Sequence, residues 1–464
     1  MIISVILAAG EGTRMKSKLP KVAHNVCGKT LLNHVIDCAK DANIDKNIVV
    51  VGHKSDVVKD SVVDKDVLFV DQPMGQDAPY GTGYAVMQAE EYIDDDSYVI
   101  VLCGDTPLIT SETIKEFTQF HIDGGYEATV LTSETDNPTG YGRIVRDKSG
   151  NVSGIVEEKD ATDEQKKIKE INSGIYCFKG SSLKSSLKNI DNNNSQGEYY
   201  LTDVIHILGG EGFKIGGYKI SDSGEIQGIN SKVQLAEAEK IMKKRINEKL
   251  MLEGVIIIDP DNTYIQNDVT IGRDTIINPG VIIEGSTKIG EDCIIGHSSR
   301  IKNSEIGDGV EIQMSNIVDS KVEDNCKIGP FANLRPNSSL GKNVKIGDFV
   351  EVKNSRIEDN SKASHLSYIG DSEVGSNVNI GCGVVFVNYD GVNKNKVTIG
   401  SDSFIGCNSN LIAPVTIEEN TYIAAGSTIN RNVEKGSLAI ARARQENKKD
   451  WINRRKNIQR YLKI

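Results

Sequence analysis

The chain has 464 residues, which is enough for two or three domains with cores of their own. Its formal net charge of −11 argues against nonspecific binding to nucleic acid. Aromatic residues make up only 5% of the chain and glycine is abundant, with 44 residues, which favours many short turns and a core of Ile and Val.

The eight cysteines show neither a CxxC motif nor metal-ligand spacing, and free thiols indicate a reducing compartment. The apolar run at residues 5–10 is too short to span a membrane and lacks the basic segment of a signal peptide. We therefore expect a cytoplasmic protein without membrane insertion.

The first apolar run, residues 2–7, predicts a buried parallel strand. A turn with Gly10 and Gly12 follows, and Arg14 and Lys21 come soon after it. Glycines let backbone N–H groups approach an anion, and the two cations add charge, so this segment suits a phosphate. It matches neither the Walker A motif nor GxGxxG, and a tight turn without a ligand is the simpler alternative.

Strand and helix patterns then alternate, with a helix at residues 30–39 and buried strands at 47–52 and 98–105. This alternation predicts a doubly wound, Rossmann-like α/β sheet that binds ligands at the carboxyl ends of its strands. Asp105 lies at such an end and could hold Mg²⁺ against a polyphosphate. A turn or helix-capping aspartate before Pro107 is the alternative.

Several motifs of this half resemble sugar-1-phosphate nucleotidyltransferases: LAAGEGTRM (7–15), PK (20–21), GTG (81–83), GDTP (104–107) and YGRI (141–144). Three more, IVEEKD (155–160), INSGI (171–175) and GIN (228–230), are similar to the uridyltransferase half of one family. That family is the bifunctional N-acetylglucosamine-1-phosphate uridyltransferase/glucosamine-1-phosphate acetyltransferase.

The resemblance implies a role for each motif. UTP or the product would contact Leu7, Ala8, Ala9, Gly10, Lys21, Gln76, Gly81, Thr82, Gly142, Glu157, Asn172 and Asn230, with the sugar on Gly142, Glu157 and Asn172. Arg14 and Lys21 would be the catalytic cations, and Asp105 with Asn230 would bind Mg²⁺. Gln76 has the family's spacing before GTG, but the residues around it look rearranged, which keeps Gln72 open as the residue that reads the base.

Residues 233–250 lack Gly and Pro and are rich in Ala, Glu and Lys, which predicts a long helix. We place a helical linker at residues 229–250, between a uridyltransferase domain at 1–228 and a second domain at 251–464.

From Ile265 an aliphatic residue returns every sixth position, a repeat typical of a parallel β-helix with about 18 residues per coil and about nine coils to residue 429. Several steps are one residue short. The step from Phe386 to Ile399 is thirteen residues long, so about seven residues with Asn388 and Lys394 must loop out.

One segment breaks the aliphatic pattern, because Ala363 takes an inward position and His365 should point outward. Stacked coils would bring His365 near Arg335, Lys353, Asn379 and the Asn388 loop as a cationic site. A solvated surface histidine is the alternative.

This constellation resembles the acetyltransferase half of the same family, in LRP (334–336), FVEVK (349–353), HLSYIGD (365–371), NIG (379–381) and NYDG (388–391). The resemblance implies a left-handed β-helix and a homotrimer whose neighbouring chains complete each site. His365 would be the general base for direct acetyl transfer from acetyl-CoA. The sugar phosphate would contact Arg335, Lys353, Tyr368, Asn379, Asn388, Tyr389 and Lys394, and acetyl-CoA would contact Cys382, Cys407, Ala425 and Arg442.

Two departures concern the acetyl-CoA set, since the family commonly has Ala at position 382 and Ser at 407. A covalent acyl-cysteine is disfavoured because no partner base is evident. The basic tail, residues 436–464, stays undecided between substrate binding, self-association and no role.

The sequence therefore predicts an enzyme with two sites. The C-terminal domain would acetylate glucosamine-1-phosphate, and the N-terminal domain would transfer UMP from UTP to the product, releasing pyrophosphate. The UDP-N-acetylglucosamine formed would feed peptidoglycan and other envelope polysaccharides. The alternative is a monofunctional nucleotidyltransferase with a structural β-helix.

Overall fold

The computed structural model describes residues 1–75 and 78–461. The chain forms two compact units, Met1–Arg245 and Ile246–Ile464. None of the helices in the described ranges is long and apolar enough to cross a membrane.

The first unit is an α/β domain. Its strands are β1 (Ile2–Ala8), β2 (Asn25–Val26), β3 (Lys29–Thr30), β4 (Lys46–Val51), β5 (Leu68–Asp71), β6 (Tyr98–Cys103), β7 (Ala128–Glu134), β8 (Arg143–Arg146), β9 (Val152–Val156), β10 (Glu170–Lys179) and β11 (Ile215–Lys219). Its helices are α1 (Leu31–Asp41), α2 (Ser55–Ser61), α3 (Thr82–Met87), α4 (Ser111–Gly124), α5 (Gly180–Leu187) and α6 (Thr202–Gly210).

The main sheet has the strand order β11-β7-β10-β6-β1-β4-β5, with β8 and β9 attached to β10. Strands β6, β1, β4 and β5 are parallel, whereas β10 runs antiparallel to both β6 and β7. Chain order reverses between β1 and β6, and such a switch point opens a crevice at the carboxyl ends of the strands. The predicted doubly wound α/β fold is confirmed.

Local sequence explains where α1 begins. The Thr30 side chain accepts a hydrogen bond from the backbone N–H of Asn33 at 3.1 Å, which caps the free amino end of the helix. The apolar face of α1 then packs into the core on one side of the sheet. This packing fixes the loop between β1 and α1, which carries Arg14 and Lys21.

Helix α7 (Lys232–Leu252) matches the predicted long helix and spans the boundary between the units. In the first unit its Glu239 carboxylate accepts a hydrogen bond from the Cys27 backbone N–H at 2.7 Å. In the second unit the Asn247 side chain donates to the Pro260 and Thr263 carbonyls at 2.9 and 3.1 Å.

The second unit is a parallel β-helix with three faces, as the hexapeptide repeat predicts and consistent with the left-handed form. Face 1 contains Ile256–Ile257, Ile276–Ile277, Ile294–Ile295, Glu311–Ile312, Lys327–Ile328, Lys345–Asp348, Lys362–His365, Asn379–Ile380, Phe404–Ile405, Tyr422–Ile423 and Leu438–Ala439. Face 2 contains Tyr264–Ile265, Ile282–Glu284, Arg300–Lys302, Asn316–Val318, Asn333–Leu334, Glu351–Ile357, Tyr368–Val374, Val385–Val387, Asn410–Ile412 and Thr428–Ile429.

Face 3 contains Thr270–Ile271, Lys288–Ile289, Glu305–Ile306, Ser320–Val322, Ser338–Leu340, Val397–Ile399 and Val415–Ile417. The long strands Glu351–Ile357 and Tyr368–Val374 turn the corner from face 2 and serve both faces. Helix α8 (Trp451–Tyr461) follows the last coil.

Coil length follows the irregular steps of the sequence. Nine pairing steps join Tyr264–Ile265 to Thr428–Ile429 along face 2, which confirms the expected number of coils. Asn379 pairs with Phe404, so that coil is 25 residues long, whereas Lys362 pairs with Asn379 only 17 residues away. The extra residues form the predicted loop at Asn388. Ala363 is buried in register between Ile346 and Ile380, and His365 lies outside.

Candidate active sites

The first candidate site is a cavity of 290 Å³ at the carboxyl edge of the first sheet. The ends of β1, β5 and β6 reach it, as expected at a switch point. It is lined by Leu7, Ala8, Ala9, Gly10, Lys21, Val22, Gln72, Tyr80, Gly81, Thr82, Ala85, Cys103, Asp105 and Glu198. The residues expected to contact uridine are therefore brought together, except Gln76, which lies outside the described residues.

Two oxygens converge on one cation beside this cavity. The Lys21 Nζ lies 2.5 Å from Asp105 Oδ2 and 3.1 Å from Asn230 Oδ1. The Arg14 guanidinium donates to the same Asn230 oxygen at 2.9 Å. Asn230 is held there because the Ile229 backbone N–H donates to the Asp105 carbonyl at 2.9 Å. The arrangement supplies hard oxygen ligands and two cations at one point.

Gly12 permits this arrangement. Its φ of +65° is left-handed, and a Cβ added there would lie 2.5 Å from the Cβ of Lys21. A side chain at position 12 would therefore push Lys21 away from Asp105.

The residues expected to bind the sugar form a second group in the same unit. A Cβ added to Gly142 would lie 3.4 Å from both the Asn172 Cβ and the Glu157 carboxylate. Asn172 is fixed by donating to the Tyr176 hydroxyl at 2.7 Å. Burial, followed by the neighbouring carboxylates Asp160 and Asp203, raises the pKa of Glu157. A desolvated carboxylate of this kind is suited to accept hydrogen bonds from hydroxyl groups.

Gln72, the alternative reader of the base, lies within the described residues, whereas Gln76 does not. Gln72 follows β5, is only 4% exposed and lines the cavity. Its backbone N–H donates to the Val51 carbonyl at 2.7 Å, which fixes it against β4.

In the second unit His365 lies in a line of residues at the corner between faces 1 and 2. We call Asp348, His365, Cys382, Cys407 and Ala425 the His365 column, because each occupies the same register on successive coils. His365 Nδ1 is 2.6 Å from Asp348 Oδ1. The His365 hydrogen bond, the largest cause, lowers the pKa of Asp348. A carboxylate placed on Nδ1 can orient an imidazole so that Nε2 serves as a proton acceptor.

A polar cluster of Lys353, Tyr368, Asp371, Asn388 and Lys394 lies on face 2 and the inserted loop, and we call it the Lys353 cluster. Asn388 is buried and donates to Asp371 Oδ2 at 2.5 Å and to the Tyr368 hydroxyl at 3.3 Å. Lys353 Nζ is 3.8 Å from the same Asp371 oxygen. The neighbouring Lys353 ammonium lowers the pKa of Lys394. Two ammonium groups that repel each other favour binding of an anion such as a phosphate.

Of the remaining substrate residues, Arg335 and Tyr389 border this cluster and Asn379 does not. Arg335 follows Leu334, which pairs with Val352, so Arg335 occupies the register of Lys353 on the preceding coil. Arg335 donates to Glu351 Oε1 at 2.9 Å on face 2. Tyr389 is exposed in the loop, and its hydroxyl donates to the Gly391 carbonyl at 2.6 Å. Asn379 lines a different cavity with Lys362 on face 1. Within the described residues of one chain, Asn379 therefore does not line the same cavity as the Lys353 cluster.

Three of the four acetyl-CoA candidates belong to the His365 column, and the fourth lies near its end. Cys382, Cys407 and Ala425 follow His365 on the next three coils, and Arg442 lies beside Gly426, with its Cδ 3.9 Å from a Cβ added there. At about 4.8 Å per coil the line extends roughly 19 Å from His365. This length suits an extended ligand whose reactive end lies at the imidazole.

Sequence reasoning assigned no role to Asp348 and Asp371. Asp348 stands one coil before His365 in the register of face 1, so the repeat itself carried the signal. Asp371 lies within the HLSYIGD motif, but its contacts with Lys353 and Asn388 depend on the folded loop.

Comparisons with known proteins match both units. A family model described as "Nucleotidyl transferase" matches residues 3–223, and one described as "GMPPB C-terminal domain" matches residues 317–433. The bifunctional protein GlmU of Clostridioides difficile (strain 630) is 58% identical over 97% of this chain and 97% of its own. This chain belongs to the bifunctional GlmU family.

Two further GlmU proteins agree. That of Alkaliphilus metalliredigens (strain QYMF) is 55% identical over 97% of this chain and 98% of its own, and that of Acetivibrio thermocellus is 56% identical over 97% of each. As a member of the GlmU family the chain is a UDP-N-acetylglucosamine diphosphorylase and a glucosamine-1-phosphate N-acetyltransferase, and it acts in peptidoglycan synthesis. The expected bifunctional enzyme is confirmed, which leaves the monofunctional alternative without support.

Proposed function

We propose that the cavity beside Asp105 is the uridyltransferase site and that the His365 column with the Lys353 cluster is the acetyltransferase site. The alignment of His365 with Cys382, Cys407 and Ala425 along one corner carries this assignment. UTP, N-acetylglucosamine-1-phosphate, glucosamine-1-phosphate and acetyl-CoA are the proposed substrates.

For uridyl transfer we propose Asp105 and Asn230 as the ligands of Mg²⁺. Their oxygens fit a hard cation, because both already converge on the Lys21 ammonium. Bound there, Mg²⁺ would neutralise charge on the triphosphate. Arg14 and Lys21 hold the phosphates in line with the attacking sugar phosphate, which is already an anion and requires no general base. Gly142, Glu157 and Asn172 hold the sugar.

For acetyl transfer we propose His365 as the general base. Its Nε2 takes the proton of the 2-amino group as that nitrogen attacks the thioester carbonyl. The carbon–sulfur bond then breaks, and the imidazolium returns the proton to the sulfur, so that coenzyme A leaves as the thiol. Asp348 keeps the imidazole in place. Lys353, Lys394 and Arg335 bind the phosphate. Tyr368, Asn388, Asn379 and Tyr389 position the sugar and the developing oxyanion.

We propose Gln72 as the residue that reads the uracil, and Gln72→Ala is expected to raise the KM for UTP ~10-fold with a smaller effect on kcat. The reason is that the buried amide loses its hydrogen bonds to the base edge. Pyrophosphate release is measured at varied UTP, with Gln76→Ala as the comparison variant. A rise in KM with Gln76→Ala alone would assign base recognition to Gln76.

A homotrimer is proposed from an apolar ladder beside the His365 column. We define the ladder as Met314, Phe331, Phe349 and Leu366, which all have left-handed φ values, from 38° to 57°. Phe331, Phe349 and Leu366 are 50%, 56% and 58% exposed, and the two rings stack at 5.2 Å. Left-handed backbone costs a bulky residue ~1–3 kcal/mol. A partner chain that covers these side chains would offset this cost.

The ladder predicts that Phe349→Asp breaks the trimer. Light scattering should then give a mass near 50.6 kDa, whereas the wild type should be about three times heavier. Because neighbouring chains would complete each acetyltransferase site, formation of N-acetylglucosamine-1-phosphate should be lost while pyrophosphate release remains.

The matched control is Tyr264→Asp, which replaces an aromatic residue of similar exposure in the first coil. It should leave the trimer intact. A Phe349→Asp protein that stays trimeric would remove the ladder from the interface. A monomer with full acetyl transfer would refute the shared site.

We further propose the cytoplasm as the compartment. All eight cysteines are free thiols, which supports a reducing environment.

A further inference from the structure

Two cysteines stand next to each other in the His365 column. Ile380 pairs with Ile405, so Cys382 and Cys407 occupy equivalent positions on adjacent coils. The Asn408 backbone N–H donates to the Cys382 carbonyl at 2.7 Å. Each cysteine precedes a left-handed residue, Gly383 at φ 74° or Asn408 at φ 54°. The two cysteines therefore occupy equivalent positions before the same kind of corner, one above the other.

The spacing of these two positions suits a disulfide. Adjacent parallel strands lie about 4.8 Å apart. A disulfide requires Cα atoms about 4.4–6.8 Å apart, with side chains that point the same way. Cys407 is exposed and Cys382 is partly exposed, so a small reagent can reach them.

The other two cysteines of the β-helix are neither on adjacent coils nor exposed. Cys293 and Cys326 are buried in the core, and the coil that contains Val310 separates them. Burial raises the pKa of both thiols, that of Cys326 to about 11. A thiol that stays protonated and covered reacts slowly, so these two serve as internal controls.

We infer that Cys382 and Cys407 form an oxidisable dithiol, a modification site for low-molecular-weight disulfides. The thiolate of one cysteine attacks a disulfide R–S–S–R, which forms a mixed disulfide and releases one R–SH. The second thiolate attacks the protein sulfur of the mixed disulfide and releases the second R–SH. The protein loses two hydrogen atoms, and the reagent is reduced to two thiols. His365 is the neighbour of Cys382 on the preceding coil and can accept the thiol proton.

The functional consequence rests on the proposed acetyl-CoA site. A disulfide between Cys382 and Cys407 would remove two thiols from the wall along which acetyl-CoA is placed and would fix the two coils at that point. Acetyl transfer would stop, and uridyl transfer in the first unit would continue. Reduction would restore acetyl transfer.

The test uses the full-length chain and glutathione disulfide. After oxidation and alkylation, intact mass and peptide mapping should show one bond between Cys382 and Cys407 within a single chain, with Cys293 and Cys326 unmodified. Cys407→Ser should stop at one glutathione on Cys382. Formation of N-acetylglucosamine-1-phosphate, measured by chromatography, should fall and should return with dithiothreitol, whereas pyrophosphate release should not change.

The outcomes separate this inference from the proposed function. Separate glutathione adducts on the two cysteines, or two unmodified thiols, would overturn the dithiol. A mapped Cys382–Cys407 bond in a protein that still acetylates at the full rate would uphold the dithiol and remove acetyl-CoA from this wall.

Discussion

His365→Ala is expected to lower acetylation of glucosamine-1-phosphate by about 10²–10⁴-fold, the usual contribution of a general base. The reason is that the imidazole is the group of the column that can accept the amine proton near neutral pH. N-acetylglucosamine-1-phosphate is measured by chromatography, because thiol reagents would react with Cys382 and Cys407. Pyrophosphate release from UTP and N-acetylglucosamine-1-phosphate on the same protein is the control and should not change.

Asp348→Asn tests the orientation of the imidazole separately from its chemistry. The amide can no longer hold Nδ1 as a charged acceptor, so kcat should fall by less than in His365→Ala, with little change in the KM values. The hydrogen bond with His365 lowers the pKa of Asp348, so the wild-type carboxylate stays ionised at pH values below the ordinary pKa of an aspartate. Its orientation of the imidazole is lost only as the pH falls through that lowered pKa. A His365→Ala protein that acetylates at the wild-type rate would refute the role of His365 as the general base.

The repeat predicted the β-helix, its number of coils and the inserted loop after Phe386, because each face of a coil requires an inward aliphatic residue. Ala363 and the long step after Phe386 marked the places where that requirement is relaxed. The partners of His365 could not be read from local sequence in the same way. Asp348 acts from the preceding coil. Which residue of that coil lies beside His365 depends on the register, and each five-residue step of the repeat shifts the register by one residue.

Contacts between residues far apart in the chain were the hardest feature to predict from the sequence. Arg14 and Asn230 are separated by 216 positions, yet they share a hydrogen bond, and only the family resemblance linked them beforehand. The apolar ladder was also missed, since Phe349 and Leu366 occupy corner positions where Gly or Asn is the usual residue. Asn379 shows the opposite case, because it was expected near the Lys353 cluster but lines a different cavity of the same chain.

Asp105→Ala is expected to lower pyrophosphate release by about 10²-fold or more while acetylation continues. Loss of a metal ligand and of the partner of Lys21 removes several kcal/mol of charge stabilisation, and each ~1.4 kcal/mol corresponds to a factor of ten in rate. Initial rates with UTP and N-acetylglucosamine-1-phosphate are measured across a Mg²⁺ titration. Chelation of Mg²⁺ in the wild type should abolish the same activity and spare acetylation.

Two further variants distinguish a metal ligand from a simple partner of Lys21. Asp105→Asn keeps one ligand oxygen, so high Mg²⁺ should restore part of its rate. Lys21→Ala leaves both metal ligands, Asp105 and Asn230, in place, so its lost rate should not return with Mg²⁺, because the missing charge acts on the phosphates. If Asp105→Ala kept the wild-type Mg²⁺ dependence, the cation would have to bind elsewhere, and the 2.5 Å contact between Lys21 and Asp105 would be an ion pair without a role in metal binding.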